Sequence, residues 1–141
     1  TRRGDMGVEP VLLASTVRCV VGQRLVRILC PDCRRMAPLT KATVARDPRC
    51  VSIGLKAGDL VGEAVGCDRC GNTGYRGRLG VFEILEVTDG IARLIGTRAD
   101  DASIERAAHA DGMTTMIEDG VAKCRAGLTS IEEILRVIAS R

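Results

Sequence analysis

Two cysteine pairs with identical spacing are the residues of this chain best suited to chemistry. Cys30 and Cys33 are separated by two residues, and so are Cys67 and Cys70. A gap of two residues lets both thiolates of a pair bind one tetrahedral metal ion at about 2.3 Å. Four thiolates complete the shell and leave no position for water. The spacing therefore predicts one structural Zn²⁺ per chain, bound by all four cysteines.

The segment 30–74, which includes both pairs, needs such an ion because its sequence shows little periodicity. It contains three prolines and several glycines, so we expect that it cannot build a core from side chains alone. Structural zinc contributes about 10–16 kcal/mol in small zinc peptides. Four thiolates around Zn²⁺ carry a formal charge of −2. We expect backbone amides and Arg34, Arg35 and Arg69 to neutralise this charge, with Asp32 and Asp68 pointing outward.

Three other interpretations of the cysteines stay open. The pairs can be unrelated buried thiols, one pair can be a redox centre, or all four can hold an iron–sulfur cluster. The redox interpretation is disfavoured because Cys30 opens no predicted helix. The iron–sulfur interpretation is disfavoured because ferredoxin-type spacing is absent. Among the other cysteines, Cys19 and Cys124 are predicted to be helical core residues, whereas Cys50 is the competing ligand candidate. His109, the sole histidine, lies on a predicted helix and is expected to be a surface or half-buried residue rather than a ligand or base.

The first half of the chain predicts a helix and then a strand. Pro10 suits the first turn of a helix whose apolar residues continue to Val21, and Gly22 is expected to end it. The alternating segment 23–28 predicts a half-buried strand that leads into the first cysteine pair. After the second pair, the segment 75–87 predicts a strand that returns to the body of the fold.

The last 54 residues, 88–141, predict helices. Asp101 is expected to cap one helix. Two capping boxes are predicted, Thr115 with Glu118 and Ser130 with Glu133. Gly127 is expected to separate the last two helices. The last helix should turn its isoleucines and leucine inward, with Glu132, Glu133 and Arg136 outside.

Composition narrows the class of protein. The chain has 141 residues, a formal net charge of +3, and only Tyr75 and Phe82 as aromatic residues. This charge and this aromatic content argue against nucleic-acid binding. No apolar stretch approaches the roughly 20 residues of a membrane span. The polar start predicts no signal peptide, and we expect a cytoplasmic fragment of a longer protein.

Catalytic motifs are missing from the sequence. No Gly-x-x-x-x-Gly-Lys-Ser/Thr sequence is present to bind phosphates, and one histidine assembles no catalytic triad. We therefore expect no catalytic or nucleotide-binding residue in this chain and no ATPase activity from the chain alone.

Several segments together resemble one family, the type II secretion ATPases and type IV pilus-assembly ATPases. Asp-Met-Gly-Val-Glu-Pro at 5–10 is similar to the end of the family's ATPase core, and the four cysteines to its tetracysteine motif. Asn-Thr-Gly-Tyr-Arg-Gly-Arg at 72–78 is similar to the run that follows that motif. Asp-Gly-Met at 111–113 and Thr-Ser-Ile-Glu-Glu at 129–133 are similar to its C-terminal region. Phe82 departs from the family, where a polar residue is common.

The resemblance implies a mixed α/β fold. Residues 1–29 would end a RecA-like ATPase core, 30–74 would form an inserted Cys₄ zinc subdomain, 75–87 the return strand, and 88–141 a C-terminal helical subdomain. It also implies a hexameric motor at the inner face of the bacterial inner membrane, which uses ATP and Mg²⁺ and works with membrane platform proteins. Arg76 and Arg78 are the interface candidates. The alternatives are a nucleic-acid-binding zinc ribbon and a freestanding interaction module.

Overall fold

The computed structural model describes residues 7–138, so Asp5 and Met6 of the first motif lie outside the described residues. The fold mixes helices and strands, as predicted. In chain order the elements are α1 (Pro10–Thr16), β1 (Cys19–Leu29), β2 (Arg35–Pro38), α2 (Lys41–Arg46), α3 (Arg49–Ser52), β3 (Leu60–Glu63), a 3-10 turn (Asp68–Cys70), β4 (Tyr75–Glu86), α4 (Asp89–Gly96), α5 (Asp101–Ala110), α6 (Met116–Arg125) and α7 (Ile131–Val137).

The described residues form two compact units. The first comprises 7–22 with 83–114, and the second comprises 23–82 with 115–138. Both β1 and β4, which are neighbours in a two-stranded sheet, continue from one unit into the other. The predicted region 88–141 therefore contributes to both units, because its first two helices belong to one and its last two to the other.

The first unit is built from α1, α4 and α5. Helix α1 packs on α4, and α4 on α5. Thr88 and Asp100 cap α4 and α5, each accepting a hydrogen bond from the backbone amide three residues later. The cap of α5 is thus Asp100 and not Asp101. Ile91 of α4 is fully buried, and Ala108 of α5 is also buried.

The predicted helix up to Gly22 is too long. Helix α1 ends at Thr16, whose hydroxyl donates to the Leu12 carbonyl at 2.6 Å, and Val17 is already extended. The apolar residues 19–21 begin β1 instead. Two of these three are valines, and β-branched side chains favour strands. The predicted strand 23–28 is confirmed as part of this longer strand.

The second unit holds the larger hydrophobic core. Its buried residues come from both strands of the β1–β4 sheet, from the segment 39–61 and from the last two helices; they are Val26, Leu39, Cys50, Ile53, Leu55, Val61, Val81, Val121, Cys124, Ile131, Ile134 and Leu135. The expectation that 30–74 builds no core is therefore wrong. Its apolar residues have no periodicity because they reach the core from short turns and helices rather than from one long element.

The caps of α6 and α7 and the glycine between these helices lie where the sequence predicts, whereas the role of Glu133 differs from the prediction. Thr115 and Glu118 form the predicted capping box, and Gly127 adopts a left-handed conformation with φ of 69° between the helices. Ser130 caps α7, but Glu133 does not complete a box. Its side chain is fully buried, contrary to the predicted outward position, because Arg27 lies beside it.

Candidate metal centre

The structure brings Cys30, Cys33, Cys67 and Cys70 together. One sulfur atom from each lies within 4.8 Å of all the others. The Sγ–Sγ distances are 3.9 Å for Cys30–Cys67, 3.9 Å for Cys33–Cys70 and 3.8 Å for Cys67–Cys70. A tetrahedron with metal–sulfur bonds of about 2.3 Å has edges of about 3.8 Å. The thiols are free, so the four donors fit one shared tetrahedral ion.

Two strand pairs place the cysteines at one point. Cys30 directly follows β1, and Tyr75, the first residue of the neighbouring β4, comes five residues after Cys70. Strands β2 and β3 pair antiparallel, with Arg35 opposite Glu63, so the residues just before β2 and just after β3 lie at the same end. A bond from the Cys30 amide to the Gly74 carbonyl at 2.9 Å joins the two cysteine loops.

Backbone amides point at the sulfur atoms. Gly66 donates to Cys33 Sγ at 3.3 Å, and both Cys67 and Gly74 donate to Cys70 Sγ at 3.2 Å. Gly66 and Gly74 have φ of 115° and 77°, which side-chain-bearing residues rarely adopt. Backbone amides were predicted from the charge of the site, but the sequence did not indicate which residues donate. The glycines flanking the second pair were the available signal.

The arginines beside the ligands do not neutralise the sulfurs as predicted. Arg34 donates to the Gly127 carbonyl at 2.7 Å, and Arg35 pairs with Glu63 at 2.6 Å. Arg69 and Arg76 each lie within 4.0 Å of Asp32. The carboxylate of Asp32 is itself 3.9 Å from Cys30 Sγ, so it does not point away from the site. Its charge is instead offset by the two arginines.

The pKa values of Cys70 and Cys33 are shifted in opposite directions. Burial raises the pKa of Cys70, but the amides of Cys67 and Gly74 and two neighbouring thiols lower it further, to about 6. For Cys33, burial raises the pKa to about 12, opposed by the Gly66 amide and reinforced by the other thiols. The amides thus favour a negative charge on one sulfur, whereas four crowded thiolates require a cation.

The other predicted residues lie elsewhere. Cys50 is buried in the core of the second unit, and the metal-ligand cluster found within residues 7–138 does not include it. Cys124 is a buried helical residue, as predicted. Cys19 is an exposed strand residue, contrary to prediction, because α1 ends before it. His109 lies on the exposed face of α5, as predicted.

A cluster of polar side chains around the buried carboxylate of Glu133 was not predicted from the sequence. Glu133 accepts hydrogen bonds from the backbone amide and guanidinium of Arg27 and from the guanidinium of Arg136. Arg27 also lies 4.0 Å over the ring of Tyr75, whose hydroxyl is 2.7 Å from that of Ser130. This cluster ties β1 and the start of β4 to the last helix.

The fold and the site define a mixed α/β protein with a tetracysteine centre. A family model for type II/IV secretion system proteins matches residues 1–136, and the chain belongs to this family. It is 39% identical over 137 residues to type II secretion system protein E of Aeromonas hydrophila, covering 97% of this chain and 26% of that relative.

Other relatives give the same result. The chain is 42% identical over 137 residues to type II secretion system protein HxcR of Pseudomonas aeruginosa, covering 97% of this chain and 25% of that one. It is 37% identical over 140 residues to type IV pilus assembly ATPase PilB of Thermus thermophilus, covering 96% of this chain and 15% of that relative. The chain therefore spans about a quarter of the secretion relatives' length. Among residues 7–138, no helix combines the length and the apolarity that a membrane span requires.

Proposed function

We propose that Cys30, Cys33, Cys67 and Cys70 hold one structural Zn²⁺ in the C-terminal part of a secretion motor ATPase. The observation that carries the proposal is the set of three measured Sγ–Sγ edges of 3.8–3.9 Å. An iron–sulfur cluster distributes its four cysteines over two or four iron atoms, so cysteines bound to different irons lie farther apart than these edges. Zinc would act by joining the two cysteine loops, and all four positions are protein ligands, so its role is structural.

The motor assignment rests on the family. The intact protein would be a hexameric RecA-like ATPase that uses ATP and Mg²⁺ to drive pseudopilus assembly for type II secretion. Residues 1–29 would end its ATPase core, 30–74 would form the zinc subdomain, 75–87 the return strand, and 88–141 the helical subdomain. The phosphate-binding and catalytic residues would lie in the rest of the intact protein, which works at the inner face of the bacterial inner membrane.

Arg76 and Arg78 remain the interface candidates for a neighbouring subunit or a membrane platform protein. Both side chains are exposed. The guanidinium of Arg76 lies 3.9 Å from the carboxylate of Asp32, which is beside the cysteines. A partner that pairs with Asp32, or that displaces Asp32 from Arg76, would therefore contact the surroundings of the metal centre. Arg78 lines a separate depression on the same unit. A nucleic-acid partner is not expected at a chain with net charge +3 and two aromatic residues.

Metal analysis of the intact protein, purified under reducing conditions without chelator, tests the zinc proposal. We expect close to one zinc per chain, and loss of bound zinc in Cys33→Ser. The matched control is Cys19→Ser, since Cys19 is exposed and outside the cluster. A zinc content near zero in the unsubstituted protein, or iron in its place, would refute the proposal. Secretion assays with Cys33→Ser then test whether the motor needs the centre.

A further inference from the structure

A depression of about 460 Å³ on the second unit is lined by positive charge. Its lining includes four arginines, Arg24, Arg27, Arg78 and Arg136, with the apolar residues Val26 and Val137. Among residues 7–138, no acidic residue contributes to the lining. None of the metal-ligand cysteines contributes to it either, so the depression is distinct from the metal centre.

One carboxylate holds two of the arginines in place. The guanidinium of Arg27 donates to Glu133 Oε1 at 2.9 and 2.7 Å, and that of Arg136 donates to its Oε1 and Oε2 at 3.0 and 2.8 Å. Glu133 therefore offsets part of the positive charge of Arg27 and Arg136 and fixes the positions of both guanidinium groups.

The other two arginines are exposed and uncommitted. Within residues 7–138, no hydrogen bond or ion pair engages the side chain of Arg24 or Arg78. The two lie on the neighbouring strands β1 and β4. Like charges gathered around one concavity repel each other unless an anion lies between them. The arrangement therefore favours an anionic ligand that Arg24 and Arg78 bind directly.

We propose that this depression binds a phosphate-type oxyanion, with Arg24 and Arg78 as its direct ligands and Arg27 and Arg136 as a fixed positive wall. The planar guanidinium fork matches phosphate oxygens in pairs. A phosphate group offers more terminal oxygens than a carboxylate, so several arginines can share it. The phosphate can belong to a soluble polyphosphate or to a lipid headgroup. The proposal goes beyond the motor function and does not depend on zinc.

Residue-specific arginine modification tests the site in the intact, zinc-loaded protein. Phenylglyoxal reacts with accessible guanidinium groups, and mass spectrometry gives the rate for each arginine, so other phosphate sites in the protein do not interfere. We expect pyrophosphate to slow the modification of Arg24 and Arg78 at least fivefold. Arg46, exposed on α2 of the same unit and outside the depression, is the control and should react at an unchanged rate.

Substitution sharpens the test. In Arg24→Gln, about tenfold more pyrophosphate should be needed to protect Arg78, because a hydrogen bond to a charged group is lost. Arg46→Gln should leave that requirement unchanged. Both side chains are exposed, so neither variant is expected to unfold.

A second arm distinguishes the two sources of phosphate. Protection by phosphatidylglycerol vesicles but not by phosphatidylcholine vesicles would assign a lipid headgroup, and protection by pyrophosphate alone would assign a soluble ligand. The proposal is overturned if neither probe protects Arg24 and Arg78 or if Arg46 is slowed equally. It is also overturned if both arginines are unreactive before any addition, since another part of the protein then covers them. Zinc content measured on the same sample shows separately whether the proposed metal centre holds.

Discussion

Replacing Glu133 by glutamine should loosen helix α7 in the intact protein. The side chain of Glu133 is 1% exposed. Its carboxylate accepts hydrogen bonds from the backbone amide of Arg27 and from the guanidinium groups of Arg27 and Arg136. Glutamine keeps the shape of the side chain but removes its charge. It also turns an NH₂ group toward guanidinium donors, so at least one donor loses its acceptor.

The magnitude follows from the pKa of Glu133. Burial raises this pKa, but hydrogen bonds from Arg136 and Arg27 lower it further, from 4.5 to about 2. At 1.36 kcal/mol per pKa unit, this shift corresponds to about 3 kcal/mol favouring the ionised, folded state. Loss of one partner of a buried pair costs about 3–5 kcal/mol. The lower end applies because the side chains of Arg27 and Arg136 stay 45% and 60% exposed and can be hydrated.

Hydrogen exchange measured by mass spectrometry reports the local opening of α7 without requiring two-state unfolding of a large protein. A loss of about 3 kcal/mol corresponds to about 100-fold faster exchange of the α7 amides in Glu133→Gln. Glu132→Gln is the matched control, since Glu132 is the exposed preceding residue of the same helix turn. It should change exchange by less than about threefold.

The pH dependence of amide exchange tests the direction of the pKa shift of Glu133. The pKa of Glu133 is depressed in the folded state, so its stabilisation is complete above about 4.5 and is lost as pH falls toward 2. The ratio of exchange rates between Glu133→Gln and the unsubstituted protein should therefore stay constant from pH 6 to 8 and shrink below 4.5. Equal exchange in the Glu133 and Glu132 variants at pH 7 would falsify the reasoning.

Two further variants probe the surroundings of the metal centre. In Gly74→Ala, the added Cβ would lie 2.7 Å from Ala64 Cβ at a φ of 77°, so we expect several-fold faster zinc release to a chelator. Gly58→Ala, at a φ of 93° with open space, should release zinc at the original rate. Tyr75→Phe removes the 2.7 Å hydrogen bond to Ser130. It should speed α7 exchange about fivefold, for a loss of about 1 kcal/mol. No change in α7 exchange would show that water replaces this bond at no cost.

The sequence alone predicted the features that depend on local spacing. The two cysteine pairs, the strand that leads into the first pair, and the Thr115 capping box require only near neighbours along the chain. The end of α1 was missed because Val20 and Val21 fit a helical face and a strand equally well. This choice is made by pairing between β1 and β4, more than 40 residues apart in the chain.

Only the tertiary structure decided which polar groups are buried and which loops build the core. Glu133 has the sequence context of an exposed helix residue, yet it is buried because Arg27, 106 residues earlier, lies against it. Leu39, Ile53 and Leu55 have no periodicity, yet they reach the core of the second unit. Spacing along the chain determines which side chains can bind one metal ion together or cap a helix. Burial depends on contacts between distant segments, and one sequence pattern does not encode these contacts locally.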